Sequence, residues 1–307
     1  MSARRRAGLA AGLALALLAG GCTSGVRATP VPSGPPPIRV ASFDFPESVL
    51  LAELYGIALR QARYHVAFTF DLGPRELVEP AIEQGFVDLV PEYLGSALQF
   101  VTLGRASSSA SAAEERVELV AALQRRGLVA LSSAPAEDKN AIVVAPATAR
   151  RLHLRTISDL APHAAHMTFG GPPECSVREL CLKGLKRVYG LEFHVAQQFD
   201  ANGDYTVRAL KAGSIGAGLL FSTDGRIAIN GLVTLLDDRG LQPAENVTPV
   251  LRRDVLARRG SRLAAVLDSV SARLSSLALT DLNAQVLGGA SPADVAARWL
   301  AEQGLGG

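Results

Sequence analysis

The chain has 307 residues, with 31 Lys and Arg against 29 Asp and Glu, three Cys, and 48% hydrophobic residues. That length supplies one large or two medium domains with full cores. The charges nearly balance and no block of five or more like charges occurs, so nothing marks a nucleic-acid surface.

Arg4, Arg5 and Arg6 precede a small, apolar run, AGLAAGLALALLAGG, that stops at Cys22. A positive segment followed by an apolar stretch too short for a comfortable bilayer span predicts a signal peptide over residues 1–21. The small residues Ala19, Gly20 and Gly21 before Cys22 fit a lipoprotein signal, with lipid attached to Cys22; a plain secretory signal and a chance cysteine is the alternative. Removing the three arginines leaves 28 basic against 29 acidic residues, a formal charge of −1. Residues 22–37, rich in Pro, Gly and Ser, cannot build a core and read as an extended tether.

From Ile38 strand and helix patterns alternate: IRVASF, ESVLLAELYGIALRQA, HVAFTFDL, RELVEPAIEQG, DLVPE, LGSALQFV. Two consecutive βαβ units predict a mostly parallel sheet covered on both faces. DLVPEYLGSAL, residues 88–98, joins a strand to a helix without a loop and sets Tyr93 at the joint, where free helix N–H groups suit a ligand. RASSSASAAEERVELVAALQRRG then reads as a small-residue loop and a helix with Val117, Leu119, Val120 and Leu123 inward. The cadence restarts with AIVVA, the turn ISDL, HMTFGG, the helix RELCLKGLKRVYG, FHVAQQF, YTVRALKAG, IGAGLLFS and the strand LVTLLDD. RLAAVLDSVSARLSSL, TDLNAQVL and SPADVAARWLAEQG end the chain as helices, the last opened by Ser291, Pro292 and Asp294. Two α/β lobes with a helical tail predict a ligand cleft between them.

Cys175 and Cys181 in PPECSVRELCLKG read as a local disulfide of an exported protein. A metal or redox pair is the weaker alternative, because the spacing is not C-x-x-C and no histidine lies in the loop. The chain shows neither G-x-S-x-G nor H-E-x-x-H, and its five histidines are scattered, so no catalytic residue and no metal site is expected. Trp299, in the tail helix, reads as core. FSTDG, residues 221–225, ends a buried strand with Thr223 and Asp224, which can cap a helix or turn or contact a polar solute.

FDFPESVLLAELY, LGPRELVEPAIEQGFVDLVPEYLGSAL, SSAPAEDKNAIVVA, FGGPPEC, LKGLKRVYGLEF and ALKAGSIGAGLLFSTDGRI resemble, in order and along nearly the whole mature chain, the glycine betaine/carnitine/choline-binding proteins of osmoprotectant ABC importers. The resemblance implies a two-lobed α/β periplasmic-binding-protein fold of the type II kind. Its lobe I would comprise residues 38–140 and 241–307, and its lobe II residues 141–240. It implies a monomeric receptor, without cofactor, that is lipid-anchored on the extracytoplasmic face and delivers a captured quaternary amine to permease subunits. A trimethylammonium head is held by aromatic faces and nearby oxygens. Tyr93 stands where the family has a cage tyrosine, with Ser96 as the hydroxyl residue three places on, and Phe45 and Glu47 are retained. Ser48 replaces a ligand-facing glutamine, Asn140 and Asn230 stand at aromatic positions, and Val207 at another, with Tyr205 nearby as substitute. Losing two or three faces at about 1–2 kcal/mol each predicts weaker betaine binding. A same-fold receptor for a hydroxylated or uncharged solute, or a sensor or envelope module that lost its cage, is the alternative.

Overall fold

In the computed structural model residues 35–105, 111–199, 201 and 203–305 are described; residues 1–34, with the expected signal peptide, Cys22 and most of the tether, lie outside them. The first alternation forms β1 (Ile38–Ala41), α1 (Pro46–Gln61), β2 (Val66–Thr69), α2 (Arg75–Glu83), β3 (Leu89–Tyr93), α3 (Leu94–Val101), α4 (Ala112–Gln124) and β4 (Leu128–Ala130). The second forms β5 (Asn140–Val144), α5 (Pro146–Leu152), β6 (Thr168–Gly171), α6 (Leu182–Tyr189), β7 (Val195–Gln198), α7 (Asp204–Ala212), β8 (Ala217–Phe221), α8 (Gly225–Ile229) and β9 (Val233–Thr234). The chain returns through β10 (Val247–Arg252) and closes with α9 (Arg253–Arg259), α10 (Ser261–Ser271), α11 (Ser276–Leu287) and α12 (Pro292–Glu302).

Two five-stranded sheets result, ordered β2-β1-β3-β10-β4 and β7-β6-β8-β5-β9. In the first, β1 runs parallel to β2 and β3, and β10 enters antiparallel between β3 and β4. In the second, β6 runs parallel to β7 and β8, whereas β5 is antiparallel to β8 and β9. Both sheets are therefore mixed, each with one reversed strand, where the βαβ reading predicted mostly parallel pairing. The chain crosses between the sheets twice, and the two crossings lie side by side: Glu137 bridges antiparallel to Asn246, and the Asp138 N–H donates to the Glu245 carbonyl at 3.1 Å.

Burial follows the strand period of two. Ile142 and Val144 of β5 join Phe169, Leu185 and Leu219 in one core, while Ala141 and Val143 face Val207, Leu210 and Leu220 on the opposite side of the same sheet. The first sheet's core takes in Leu50, Leu54, Tyr55 and Leu59 of α1 together with Leu263, Leu267, Val295, Trp299 and Leu300 of the tail. The tail thus packs on the first sheet, α1 lying against α10 and α12.

Four expected elements differ. The segment 262–277 is not one helix: Ser275 accepts from the Ala278 N–H at 3.2 Å and starts α11 as a fresh N-cap. The helix expected from Arg178 begins only at Leu182, because the Cys175–Cys181 disulfide closes the preceding residues into a loop with its own 3₁₀ turn. The strand expected over 232–238 pairs only at Val233–Thr234. Of the four residues expected inward on α4, Leu119 and Leu123 are buried and Val120 packs partly buried against the core, but Val117 is 69% exposed, and Ala122 is buried as well.

Glu115 of α4 is also buried. Burial pushes its carboxyl up to about 7, against the Ala244 backbone and Lys139, which favour the charge. A carboxyl whose pKa is higher in the folded than in the unfolded chain adds stability at low pH that is lost as pH rises toward the folded value. Glu115→Gln should therefore raise the melting temperature at about pH 8 by a few degrees and leave it nearly unchanged at about pH 4, as thermal unfolding across that range would show.

Candidate functional site

Tyr93 ends β3 and Leu94 begins α3 with no residue between them. The first N–H groups of α3 do not wait for a ligand, as the sequence suggested, but are filled by the segment entering β10. Leu94 N donates to the Asn246 carbonyl at 3.1 Å and Gly95 N to that of Ala244 at 2.9 Å. Ser96 N donates to Glu245 Oε2 at 3.0 Å, and the Ser96 hydroxyl to Glu245 Oε1 at 2.6 Å. The helix dipole and the two Ser96 donors favour the charged form of Glu245, and burial opposes it. Gly95 is needed here, since a Cβ would lie 2.2 Å from Pro243 Cγ. The joint instead orients Tyr93, whose ring faces a cavity of about 360 Å³ between the two sheets. That volume suits a small solute, at the low end of roughly 300–1,000 Å³ for small-molecule sites.

Phe43, Phe45 and Tyr93 from the first sheet and Phe221 from the end of β8 in the second all line this cavity. Phe45 is central, 5.9 Å from Phe43, 6.1 Å from Tyr93 and 4.9 Å from Phe221 between ring centroids. Phe221 faces the cavity because it is the strand residue at which β8 pairs with Asn140 of β5, beside the crossing between sheets. The carboxyl groups of Asp44, Glu76, Asp138, Glu174, Glu179 and Glu245 outnumber the cations Arg75, Arg178 and Lys183 in the lining.

Each of those cations is already engaged. Arg75 lies over the Phe43 ring at 5.0 Å and donates to both Glu92 oxygens, at 2.8–3.2 Å. Burial works against its charge, but Glu92, Glu245 and Glu79 outweigh burial and hold the guanidinium more firmly protonated than usual. Arg178, carried by the disulfide loop, reaches across the cleft to Glu76 with contacts of 3.0 and 2.7 Å. Burial raises the Glu76 carboxyl, but the Arg178 contacts, a backbone N–H and the Arg75 charge together bring it below its ordinary value. Lys183 Nζ is 3.9 Å from Glu179.

Behind the aromatic wall, Glu47 of α1 accepts from the Tyr93 hydroxyl at 2.7 Å, and from the Thr223 hydroxyl and Asn283 Nδ2. Asp138, on the first crossing, accepts from the Thr223 N–H at 2.9 Å and the Ser222 hydroxyl at 3.1 Å. Burial raises the carboxyls of both Glu47 and Asp138, Asp138 further by the nearby Glu47 charge. The network ties α1, β3, both crossings' neighbourhood and α11 together where the lobes meet.

Of the residues expected at the site, Phe45, Tyr93, Ser96 and Asn140 line the cavity. Asn140 directs its Nδ2 away into the wall, to the Leu180 carbonyl at 3.1 Å and Gln242 Oε1 at 3.2 Å. Ser48 is fully buried behind the wall and accepts from Phe43 N at 2.9 Å, so it positions the Phe43 backbone. Thr223 belongs to the Glu47 network. Asp224 caps α8 by accepting from Arg226 N at 2.9 Å and pairs with the Arg226 side chain. Tyr205 is 54% exposed, stacks 6.4 Å from Phe199 and lies outside the cavity, on a shallower groove shared with Asp44 and Pro172. Asn230 bonds to Lys211 and the Arg226 carbonyl at the end of α8, and Val207 is core. Sequence reasoning missed Phe43, Phe221, Arg75, Arg178 and Glu245. Only Phe43 had a local signal, standing two residues before Phe45 and hence on the same side of an extended segment.

Two lobes, each with its own sheet, crossed twice by the chain and meeting on a small aromatic cavity, define a two-lobed solute-binding protein. Residues 36–302 match the substrate-binding domain of ABC-type glycine betaine transport systems, and the chain belongs to that family. It is 31% identical over 281 residues to a glycine-betaine-binding protein of Pseudomonas aeruginosa, covering 87% of this chain and 88% of that one. It is 28% identical over 279 residues to the glycine betaine-binding protein YehZ of Escherichia coli, covering 87% and 91%. The fold is similar to a crystal structure of a glycine betaine/carnitine/choline ABC transporter component, with a TM-score of 0.70 at 21% identity over 88% of this chain and 100% of that one. The chain is thus a substrate-binding component of an ABC importer and not an enzyme. Among the described residues no single helix is long and apolar enough to cross a membrane, and no cluster of His, Cys, Asp and Glu is arranged to hold a metal.

Proposed function

We propose that the protein is a lipid-anchored extracytoplasmic receptor that captures a small quaternary amine of the betaine and choline class and hands it to the permease of its importer. The observation carrying this reading is the set of four rings, Phe43, Phe45, Tyr93 and Phe221, lining one small cavity beside an excess of carboxyl groups. Aromatic faces and carboxylates attract a cation that has no N–H to donate. The polar-solute alternative has less support, because the amide of Asn140 is bonded into the wall and Ser48 and Asn230 do not reach the cavity. Capture would close lobe II, residues 141–240, on lobe I, residues 38–140 and 241–307, by bending at the paired crossings. Cys22 would carry the anchor, and Cys22→Ala would release the protein from the membrane fraction.

Titration calorimetry of the mature protein with choline, glycine betaine, carnitine and 3,3-dimethylbutanol tests the reading. The butanol has the shape of choline without its charge and should bind roughly a hundredfold more weakly than choline if several aromatic faces recognise the cation. Equal affinity for the two, or no heat with any of the amines, would remove the proposal.

A further inference from the structure

We infer that Glu245 is the counter-ion of the bound cation and that ligand entry displaces a proton from its carboxyl group. This inference rests on the quaternary-amine reading and assigns the charge partner within that site. Glu245 is one of the residues lining the cavity and is only 1% exposed, so what touches its carboxyl group is protein or the contents of the cleft. It is fixed there by two donors of one residue, the N–H and the hydroxyl of Ser96. The nearest cation, Arg75 of α2, is committed to Glu92 of β3 by a forked pair. The other cations of the lining, Arg178 and Lys183, lie against Glu76 and Glu179; Glu79 of α2 and Glu92 face the Arg75 guanidinium, and Glu115 of α4 is buried near the adjacent Ala244. Asp138, on the neighbouring crossing, donates its N–H to the Glu245 carbonyl, and its own carboxyl accepts from Thr223 N and the Ser222 hydroxyl.

The empty site therefore holds an acid with no free positive partner. Burial pushes its carboxyl up to about 7, against the Ser96 hydrogen bonds and Arg75, which favour the charge. A permanent cation placed beside it stabilises the carboxylate and lowers that value, so the neutral acid gives its proton to solvent as the amine enters. Charge balances: one cation is taken in and one proton leaves. Binding then weakens as pH falls below the value of the empty site, since the proton competes with the ligand.

The test is calorimetry of the full mature chain with choline and with tetramethylammonium, in buffers of low and high ionisation enthalpy. At about pH 6 the wild type should release close to one proton per ligand, and at about pH 8.5 close to none. Its affinity should rise roughly tenfold between about pH 6 and pH 8 and then level off. Glu245→Gln, which keeps an oxygen for Ser96, should abolish both the proton release and the pH slope. Binding of both amines with no proton release overturns this inference alone and leaves the receptor reading standing. Proton release that survives in Glu245→Gln but is lost in Asp138→Asn places the proton on the Glu47–Asp138 pair and also overturns it. Absence of amine binding at every pH removes the receptor reading and this inference with it.

Discussion

Arg75→Met is expected to destabilise the fold by about 3–5 kcal/mol, the cost of leaving a buried charge without its partner. Arg75 and Glu92 are both buried, and their forked pair at 2.8–3.2 Å crosses from α2 to β3 beneath the cavity. The same guanidinium faces Glu79 and Glu245, so one substitution leaves a cluster of three carboxyl groups without a counter-charge. Methionine fills the volume of the stem, so the loss reports charge and hydrogen bonding more than packing. For a domain of this size the melting temperature should fall by on the order of 10 °C near pH 7. The deficit should shrink at about pH 5, below the values of about 7 to which Glu79 and Glu245 are pushed, because protonation there removes charge that the guanidinium no longer balances. Adding Glu92→Gln to Arg75→Met should recover much of the loss, whereas Arg75→Lys, which offers no planar fork, should recover little. Thermal and urea unfolding of the four proteins across that pH range would decide it. A melting temperature unchanged in Arg75→Met would show that the pair adds nothing net to stability.

The alternation of strand and helix was legible because burial in both sheets obeys short periods: Ala141 and Val143 face one side and Ile142 and Val144 the other, a pattern any window of the sequence exposes. β10 was not legible. Its sequence VTPVLR carries Pro249, which argues against a central strand. The structure accommodates it by pairing Pro249 with Pro91 of β3 and turning its carbonyl to β4, where it accepts from Leu131 N at 2.9 Å. The Leu131 carbonyl, which faces the proline nitrogen and finds no N–H there, accepts instead from Arg116 Nη2 at 2.9 Å, a compensation visible only once the register is known. The site divides in the same way. Tyr93 and Phe45 were found from motifs within one segment, but Phe221 and Arg178 reach the cavity from the second lobe and Glu245 from the second crossing, each far along the chain from the residues it faces. Asn140 stands in the cavity wall and Ser48 behind it, and no sequence pattern tells that such an amide or hydroxyl is bonded into the protein.

Tyr93→Ala is the substitution expected to weaken capture most for the smallest change in fold. The ring is buried, lies 6.1 Å from Phe45, and presents a face to the cavity from a backbone position that β3 and α3 hold with no loop to relax. Its hydroxyl is bound to Glu47, and burial with the nearby Glu47 charge keeps the phenol protonated well above its ordinary range, so the ring acts as a neutral face at any usable pH. Losing that face should weaken choline binding by about 1–2 kcal/mol, roughly 5- to 30-fold. The space left behind and the donor removed from Glu47 add to this, since truncation also leaves a buried acceptor unpaired. Tyr93→Phe restores the ring without the hydroxyl and should regain most of the affinity while melting lower than the wild type, which separates the cation face from the hinge network. Tyr205→Ala, exposed and stacked on Phe199 outside the cavity, should change affinity by less than about twofold, in line with the near-neutral effect of groups that make no buried contact. If calorimetry instead found Tyr205→Ala crippling and Tyr93→Ala harmless, the amine would sit in the outer groove, and the aromatic cavity would be part of the core that closes the two lobes.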